Sequence, residues 1–283
     1  MSYDFDFICD CHCHSKWSFD GCEETDDICE RAIELGIDVV TITDHCEVNG
    51  WDNPQDSEFG DFKKLIPQSI IHMKASQKKY NGKLKLLRGI ELGQAMQNLS
   101  GADEALALDQ FDFILASVHN VRRMQDFYWL EYTEKSAQKL LYTYFNEVLE
   151  VANWNKFDSL AHLTYPLRYI SGKHKINIDI ADYIVIIDEI FKTLIKNNKA
   201  LEVNTSGLRQ ELGTTMPDRF LLERYKNAGG HLITIGSDAH KTADLGKGIN
   251  EGLHLLNSIG FKAYTYFEKH TPVFVDIHLK NKI

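Results

Sequence analysis

Histidine and carboxylate side chains recur in this sequence at the ends of apolar, strand-like runs. The first run ends in Asp10-Cys11-His12-Cys13-His14. Because side chains alternate along a β-strand, Asp10, His12 and His14 should face one side and the cysteines the other. Two imidazoles on one face of a strand are well placed to bind a divalent metal ion.

Each later run ends in the same kinds of residue. Metal-ligand types or polar groups occur in Thr43-Asp44-His45, Gly89-Ile90-Glu91, Ser117-Val118-His119-Asn120, Ala161-His162, Glu202-Val203-Asn204 and Ser237-Asp238-Ala239-His240. A lone histidine after an apolar run is more often a hydrogen-bonded structural residue than a ligand. That explanation is weak for a pattern that repeats at every strand end. Imidazole and carboxylate ligands together suit Zn, Fe or Mn.

The elements that must position these residues alternate between strands and helices. The predicted strands are residues 7–13, 39–45, 84–92, 111–120, 159–165, 200–206 and 232–240. The predicted helices are residues 25–35, 62–79, 133–154, 178–197, 216–227 and 241–256, and the link at 99–108 is short. This alternation predicts a parallel α/β barrel whose strand ends meet on one face. Residues 261–283 predict a short appended strand.

Length and charge narrow the classes of function. The strands are evenly spread over 283 residues without a linker-like segment, so we expect one domain over residues 1–283. The net charge of −10 argues against broad binding to a nucleic-acid backbone, whereas a small phosphorylated metabolite is acceptable if metal ions neutralise the site. No transmembrane run is present, and the first residues lack the features of a signal peptide. We therefore expect a cytoplasmic protein that does not bind membranes.

The cysteines are clustered near the start of the sequence. All six, at positions 9, 11, 13, 22, 29 and 46, lie in the first sixth of the chain, unlike the disulfide framework of a secreted protein. A zinc site built from sulfur ligands is an alternative, but Cys9, Cys11 and Cys13 face away from the histidines and lack a matching second pair. We expect free thiols, which pack as small hydrophobic side chains.

The combined motifs resemble the polymerase-and-histidinol-phosphatase (PHP) family. Its pattern of D-x-H-x-H, T-D-H, a strand-end Glu, S-V-H, a further His and S-D-A-H is present in order between residues 10 and 240. The resemblance implies a distorted (β/α)7 barrel, similar to a TIM barrel, with a trinuclear metal centre. The seven strands predicted above from periodicity agree with it independently.

The resemblance also implies three divalent ions held by nine side chains. The first ion would be bound by His12, His14, Glu91 and Asp238, the second by Glu91, His119 and His162, and the third by Asp20, His45 and His240. Glu91 would thus bridge two ions. The segment Ser18-Phe19-Asp20-Gly21 also fits an ordinary turn, which leaves a structural role open for Asp20.

Two arginines are candidates for binding a phosphate group. Arg168 and Arg209 each follow a predicted strand, in segments similar to those of the histidinol phosphatases within the family. A guanidinium group can donate two parallel hydrogen bonds to phosphoryl oxygens. The alternative is that both arginines form surface salt bridges.

The expected reaction is hydrolysis of a phosphomonoester without a side-chain nucleophile. A hydroxide that bridges two ions would attack phosphorus in line with the leaving alcohol. The ions and both arginines would neutralise charge on the equatorial oxygens. Asp10 and Asp44 could orient a ligand imidazole or simply cap turns. The resemblance implies L-histidinol phosphate as the substrate, with L-histidinol released in histidine biosynthesis.

Two other functions compete with this interpretation. A nuclease acting on nucleotide ends would need a basic groove and stacking aromatics, for which Trp51, Tyr128 and Trp129 are candidates, but the acidic charge opposes it. A noncatalytic module stabilised by metal would unfold when the metal is removed, whereas an enzyme would lose turnover while largely folded. The complete set of predicted ligands favours the enzyme.

Strand alternation makes a prediction for the cysteines. Cys11→Ser and Cys13→Ser should both keep the wild-type metal content and activity, because these side chains face away from the predicted site. The expected cost is a modest loss of stability, since a buried hydroxyl must find a hydrogen bond. Metal analysis and activity assays of the purified variants check this, and loss of bound metal in either variant would contradict it.

Overall fold

A parallel sheet of eight strands forms the centre of the molecule. The computed structural model describes residues 3–49 and 61–280. In this part of the chain the strands of the sheet are β1 (Cys9–Cys13), β2 (Val39–Ile42), β3 (His45–Glu47), β4 (Lys85–Gly93), β5 (Phe113–Ser117), β6 (Ser159–Leu160), β7 (Ala200–Asn204) and β8 (Ile233–Gly236). Their order is β1-β2-β4-β5-β6-β7-β8, with β3 also paired to β4, and every pair is parallel.

The sheet occupies seven strand positions. Both β2 and β3 pair with β4, at Ile42 with Arg88 and at His45 with Glu91. They are therefore two halves of the single strand predicted at residues 39–45, which is interrupted at Thr43 and Asp44. The predicted α/β barrel with seven strand positions is confirmed.

Contacts between β1 and β8 bring the first strand against the last. The Asp238 backbone N–H donates to the His12 carbonyl at 2.7 Å, and the His14 N–H donates to the Ala239 carbonyl at 2.8 Å. Gly236 permits this close approach, because a Cβ there would collide with His12 and with the Glu202 carboxylate. The sheet is thus nearly closed, and its carboxyl ends form one face.

Seven α-helices surround the sheet in the described residues. They are α1 (Thr25–Leu35), α2 (Phe62–Lys79), α3 (Leu99–Leu106), α4 (Glu134–Trp154), α5 (Ile184–Lys196), α6 (Arg219–Asn227) and α7 (Ile249–Ile259). In α5 the buried side chains Ile187, Ile190, Phe191 and Leu194 follow helical spacing and cover the barrel. None of the helices in the described residues is long and apolar enough to cross a membrane.

Several helix predictions differ from the structure: the helices predicted to begin at residues 178 and 216 begin at Ile184 and Arg219. The predicted helix at 241–256 begins only at Ile249, because Gly246 and Gly248 adopt positive φ values of 71° and 79°, which a helix cannot contain. The link at 99–108 contains α3, which is capped by the Asn98 side chain accepting from the Gly101 N–H.

The end of the chain forms a hairpin where we predicted one appended strand. Strands β9 (Ala263–Glu268) and β10 (Thr271–Asp276) pair antiparallel, and residues 281–283 lie outside the described part. The prediction was wrong because Lys269 and His270 both adopt positive φ and turn the chain back within two residues. The Tyr264 hydroxyl donates to the Phe7 carbonyl at 2.8 Å, which places the hairpin at the amino ends of the strands.

Asp10 joins the first strand to the segment that follows the last one. It is fully buried, and its carboxylate accepts hydrogen bonds from the Ser237 N–H at 2.8 Å, the Ser237 hydroxyl at 2.5 Å and the Gly246 N–H at 3.0 Å. Since these donors would be left with a poorer acceptor, Asp10→Asn should lower the free energy of unfolding by about 2 kcal/mol. Denaturant titration measures this change.

The exposed Asp6 offers a matched control for that measurement. Its side chain lies on the surface, so Asp6→Asn should change the free energy of unfolding by less than about 0.5 kcal/mol. If Asp10→Asn were as stable as Asp6→Asn, the carboxylate would not hold the closure together.

Candidate metal centre

The nine predicted ligands come together at the carboxyl ends of the strands. All nine side chains make contacts at one end of the barrel, within the network of distances described below. Strand direction explains this convergence, because parallel strands place residues that are distant in sequence on the same face. A cavity at this face is lined by Glu91, His119, His162 and Asp238, among other residues.

The first group contains His12, His14, Glu91 and Asp238. The Nε2 atoms of His12 and His14 lie 3.0 Å apart. Glu91 Oε2 is 3.3 Å from the first nitrogen and 3.5 Å from the second, and Asp238 Oδ1 is 3.7 and 3.5 Å away. Two imidazole nitrogens and two carboxylate oxygens thus surround one point.

The second group uses the other oxygen of Glu91. The Nε2 atoms of His119 and His162 lie 3.3 Å apart, and each is 3.0 Å from Glu91 Oε1. A single buried carboxylate therefore faces two separate pairs of imidazoles. This is the arrangement expected of a bridging ligand.

The third group lies nearest to solvent. His240 Nε2 is 3.1 Å from Asp20 Oδ2 and 3.4 Å from His45 Nε2, while His45 Nε2 is 3.7 Å from Asp20 Oδ1. The other ring nitrogen of His45 lies 2.8 Å from Glu91 Oε2. Asp20 is thus in contact with two predicted ligands, which an ordinary turn residue would not require.

The donor atoms fit divalent metal ions. Four combinations of three side chains place their donor atoms within 4.8 Å of one another: His14, His45 and His240; His12, His14 and Asp238; His12, Glu91 and His162; and His45, Glu47 and His119. Nitrogen and oxygen donors of this kind suit Zn, Fe or Mn. All six cysteines are free, and none belongs to these groups in the described residues.

Buried charges in the centre depend on one another. Burial alone would raise the pKa of Glu91, but the imidazoles of His45, His119 and His12 hold that pKa well below its usual range. Burial and the neighbouring His240 and His45 hold the pKa of His14 well below its ordinary value. His14 is therefore neutral and able to offer a lone pair to a metal ion. Nearby carboxylates raise the pKa of His12, His45 and His119, so metal binding would release protons from these imidazoles.

Two glutamates to which the sequence analysis gave no role orient the imidazoles. Glu202 accepts from His12 Nδ1 and from the His162 backbone N–H, both at 2.7 Å. Glu47 lies 2.7 Å from His119 Nδ1. A carboxylate on the second ring nitrogen directs the first one toward a metal ion and strengthens it as a ligand.

Strand alternation could have identified both glutamates. Glu47 lies two residues after His45 in β3, and Glu202 lies two residues before Asn204 in β7, so each shares a face with a residue already singled out.

Asp10 and Asp44 do not contact a ligand imidazole directly. Asp10 binds Ser237 and Gly246, as described above. Asp44 accepts from the Ser18 hydroxyl at 3.0 Å, and this hydroxyl lies 3.0 Å from His14 Nδ1. Asp44 therefore acts on His14 through Ser18, and Asp10 acts on the backbone.

The two predicted phosphate-binding arginines occupy different environments. Arg168 lines the cavity, and its Nη2 donates to Asp238 Oδ2 at 2.9 Å and to the Ser206 hydroxyl at 2.5 Å. Its Nε is buried and lacks a hydrogen-bond partner in the described structure. Arg209 donates to the backbone carbonyls of Ser237 at 2.6 Å and Asp238 at 2.7 Å, and it does not line the cavity.

Two of the three aromatic residues considered for a nuclease, Tyr128 and Trp129, lie on the surface. Tyr128 and Trp129 are about half exposed and pack edge to face, with ring centroids 4.6 Å apart. Neither lines the cavity. Trp51 lies outside the described residues.

Comparisons with known proteins point to one family. The sequence model of the PHP domain matches residues 10–206. The chain is 34% identical over 254 residues to a Thermotoga maritima protein named "Probable histidinol-phosphatase", covering 89% of this chain and 93% of that protein. It is 28% identical over 262 residues to the "Histidinol-phosphatase" of Lactococcus lactis, covering 91% and 93%.

A solved structure has a similar fold. The crystal structure of the Lactococcus lactis histidinol phosphate phosphatase, complexed with Zn, L-histidinol and phosphate, superposes with a TM-score of 0.76 at 24% identity. The match covers 94% of this chain and 98% of that one. The barrel described above is thus shared over nearly its full length.

Glu202 provides a test of the centre that does not depend on turnover. Glu202→Gln should weaken the binding of divalent metal about 10- to 100-fold, because the amide cannot accept from both His12 and His162. Titration against a chelator of known affinity measures the change. Glu211→Gln, an exposed change of the same kind, should leave affinity unaltered. Equal affinities for the two variants would contradict the role given to Glu202.

Proposed function

The chain belongs to the PHP domain family, and we propose that it is a metal-dependent phosphomonoesterase that hydrolyses L-histidinol phosphate to L-histidinol and phosphate. The observation that carries the proposal is the buried Glu91 carboxylate, which faces two pairs of imidazoles beside a cavity that Arg168 also lines. The names of the relatives from Thermotoga and Lactococcus supply the substrate. Residues 1–283 would form a single domain that acts in histidine biosynthesis in the cytoplasm.

The nine ligands would hold up to three divalent ions. The groups around His12 and His14, around His119 and His162, and around Asp20 and His240 are the sites we assign to them. Zn is the first candidate, because the Lactococcus structure contains it and the donors suit it. When bound, such ions would activate water for attack and neutralise negative charge on the phosphate.

The chain's own residues contribute charge and position. Arg168 lies against Asp238, at the inner side of the cavity, and its buried Nε–H has no partner among the described residues. A phosphoryl oxygen would satisfy that donor. Because guanidinium groups stabilise charge on the equatorial oxygens, Arg168 would favour the transition state as well as the bound substrate.

We also assign Arg209 to phosphate binding. Its two Nη atoms already donate to the carbonyls of Ser237 and Asp238, and its Nε lies 3.9 Å from Asp244 Oδ2, which leaves the remaining Nη hydrogens for a phosphate. Its present contacts hold the turn that carries Asp238. Substitution of Arg209 therefore tests whether it binds the substrate or supports the ligand.

The acidic chain favours a small substrate over a nucleic acid. The net charge of −10 argues against broad binding to a polynucleotide backbone. The buried cavity is lined by metal-ligand types and tyrosines, which suits a compact phosphomonoester. A screen of small phosphomonoesters and short oligonucleotides distinguishes the two classes, and preference for oligonucleotides would refute the phosphomonoesterase.

Substitution of the arginines tests how the phosphate is held. Arg168→Ala should lower kcat/KM for L-histidinol phosphate by about 10² or more. Metal content should not change, because Ser206 and Asn204 still hold Asp238 Oδ2. Arg168→Lys should recover only part of the loss. Arg209→Ala should cause a similar loss if it binds phosphate, but it should reduce bound metal if it only supports Asp238. Steady-state kinetics and metal analysis of the same samples separate these results.

The exposed Arg219 serves as the control for charge removal, since its partners among the described residues are the surface groups of Glu223 and Ser258. Arg219→Ala should behave as wild type. Wild-type efficiency in Arg168→Ala would overturn the phosphate site while leaving the metal centre intact.

A further inference from the structure

The cavity contains a carboxylate that the metal centre does not use. Asp126 lines the cavity and is 7% exposed, yet it belongs to none of the groups that could hold a metal ion. It lies in the loop between β5 and α4, where the sequence carried no periodic signal for it. A role for Asp126 must therefore be inferred from its contacts in the structure.

All hydrogen bonds to Asp126 come from neutral donors. Oδ1 accepts from the Tyr128 N–H at 2.7 Å, and both oxygens lie 3.2 Å from the Tyr165 hydroxyl. No lysine, arginine or histidine forms an ion pair with it among residues 3–49 and 61–280. Burial raises the pKa of Asp126 to about 6, and the neighbouring His119 imidazole offsets only part of this effect.

A structural role alone explains this arrangement poorly. Asp126 does cap the short turn at Tyr128, but asparagine or serine could accept the same N–H without burying a charge. A buried charge that faces a ligand cavity is better explained by a charged ligand group that reaches it there.

Tyr165 relates Asp126 to the metal centre. Its ring lies 5.0 Å from the ring of His119 and 5.0 Å from that of His162, and the Arg168 guanidinium lies 5.1 Å from its centroid. Its hydroxyl points the other way, toward Asp126 and the Tyr169 hydroxyl at 3.1 Å. The carboxylate is thus one tyrosine side chain away from the place where the phosphate would bind.

We infer that Asp126, together with Tyr165 and Tyr169, forms a subsite for the ammonium group of the leaving alcohol. This inference rests on the proposed function, because it takes the substrate to be the phosphate ester of an amino alcohol. In L-histidinol phosphate the ammonium lies on the carbon next to the one that bears the ester oxygen, which matches a carboxylate placed close beside the phosphate. The hydroxyl oxygens of Tyr165 and Tyr169, which lie beside the carboxylate, can accept further hydrogen bonds from the ammonium.

Paired substrates test the subsite in the metal-loaded enzyme. One is L-histidinol phosphate, and the other is its desamino analogue, 3-(imidazol-4-yl)propyl phosphate. Asp126→Asn should lower kcat/KM for the first about 10- to 100-fold, mainly through KM, and should change the second by less than about threefold. For wild type, kcat/KM should be lower for the desamino analogue than for L-histidinol phosphate by a comparable factor. Asp126→Asn acting on the desamino analogue should show no further loss beyond this factor, because both changes remove the same contact.

Binding of L-histidinol supplies a readout that does not depend on turnover. Calorimetric titration of the metal-loaded protein should show weaker binding of this amino alcohol to Asp126→Asn than to wild type. Glu131→Gln, which removes an exposed carboxylate five residues away, should leave binding and kinetics unchanged. Metal content and circular dichroism of Asp126→Asn should match wild type, because asparagine has the same shape and can still accept from Tyr128.

The possible outcomes separate the subsite from other roles. If kcat falls equally for both substrates, Asp126 acts as a proton donor to the alcohol and the ammonium subsite is wrong. If bound metal or folding is lost, Asp126 is structural and the inference is also wrong. If wild type fails to hydrolyse L-histidinol phosphate, the proposed function itself fails, which is recognisable before any variant is compared.

Discussion

The structure depends on one buried carboxylate. Glu91 is fully buried in β4, and its two oxygens face different pairs of imidazoles, at 3.3 and 3.5 Å on one side and 3.0 Å on the other. An ionised carboxylate at this depth is costly unless positive charge surrounds it. The imidazoles that contact Glu91 come from four strand positions: His12 and His14 at the end of β1, His45 in β3, His119 after β5 and His162 after β6.

A second set of buried carboxylates holds these strand ends in place. Asp10 holds the segment after β8 against β1, Asp44 binds the hydroxyls of Ser15 and Ser18, and Glu202 connects β7 to His12 and His162. Each is buried and accepts several donors, so each restricts the ligand beside it to one orientation. The candidate metal centre is preorganised because Asp10 holds the barrel closed while Asp44 and Glu202 orient the histidines at the strand ends.

The sequence alone predicted the barrel and the residues at its strand ends, since strand periodicity and parallel topology determine both. It singled out Glu202 at a strand end but gave it no role, although alternation with Asn204 places both side chains on the face that carries the ligands. The position of Asp126 in the cavity could not be predicted from the sequence, because the path of its loop depends on tertiary packing of Phe127 against Tyr165. The hairpin at β9 and β10 was missed because its turn, Lys269-His270, lacks the glycine or asparagine that usually marks positive φ.

Anomalous diffraction from crystals of the chain loaded with one kind of divalent ion tests the central claim most directly. The account predicts separate anomalous peaks beside the two oxygens of Glu91, one near His12 and His14 and the other near His119 and His162. Each peak should lie about 2.0–2.2 Å from its carboxylate oxygen. A metal bound by the cysteines of β1, or a Glu91 carboxylate without a metal beside it, would contradict the account.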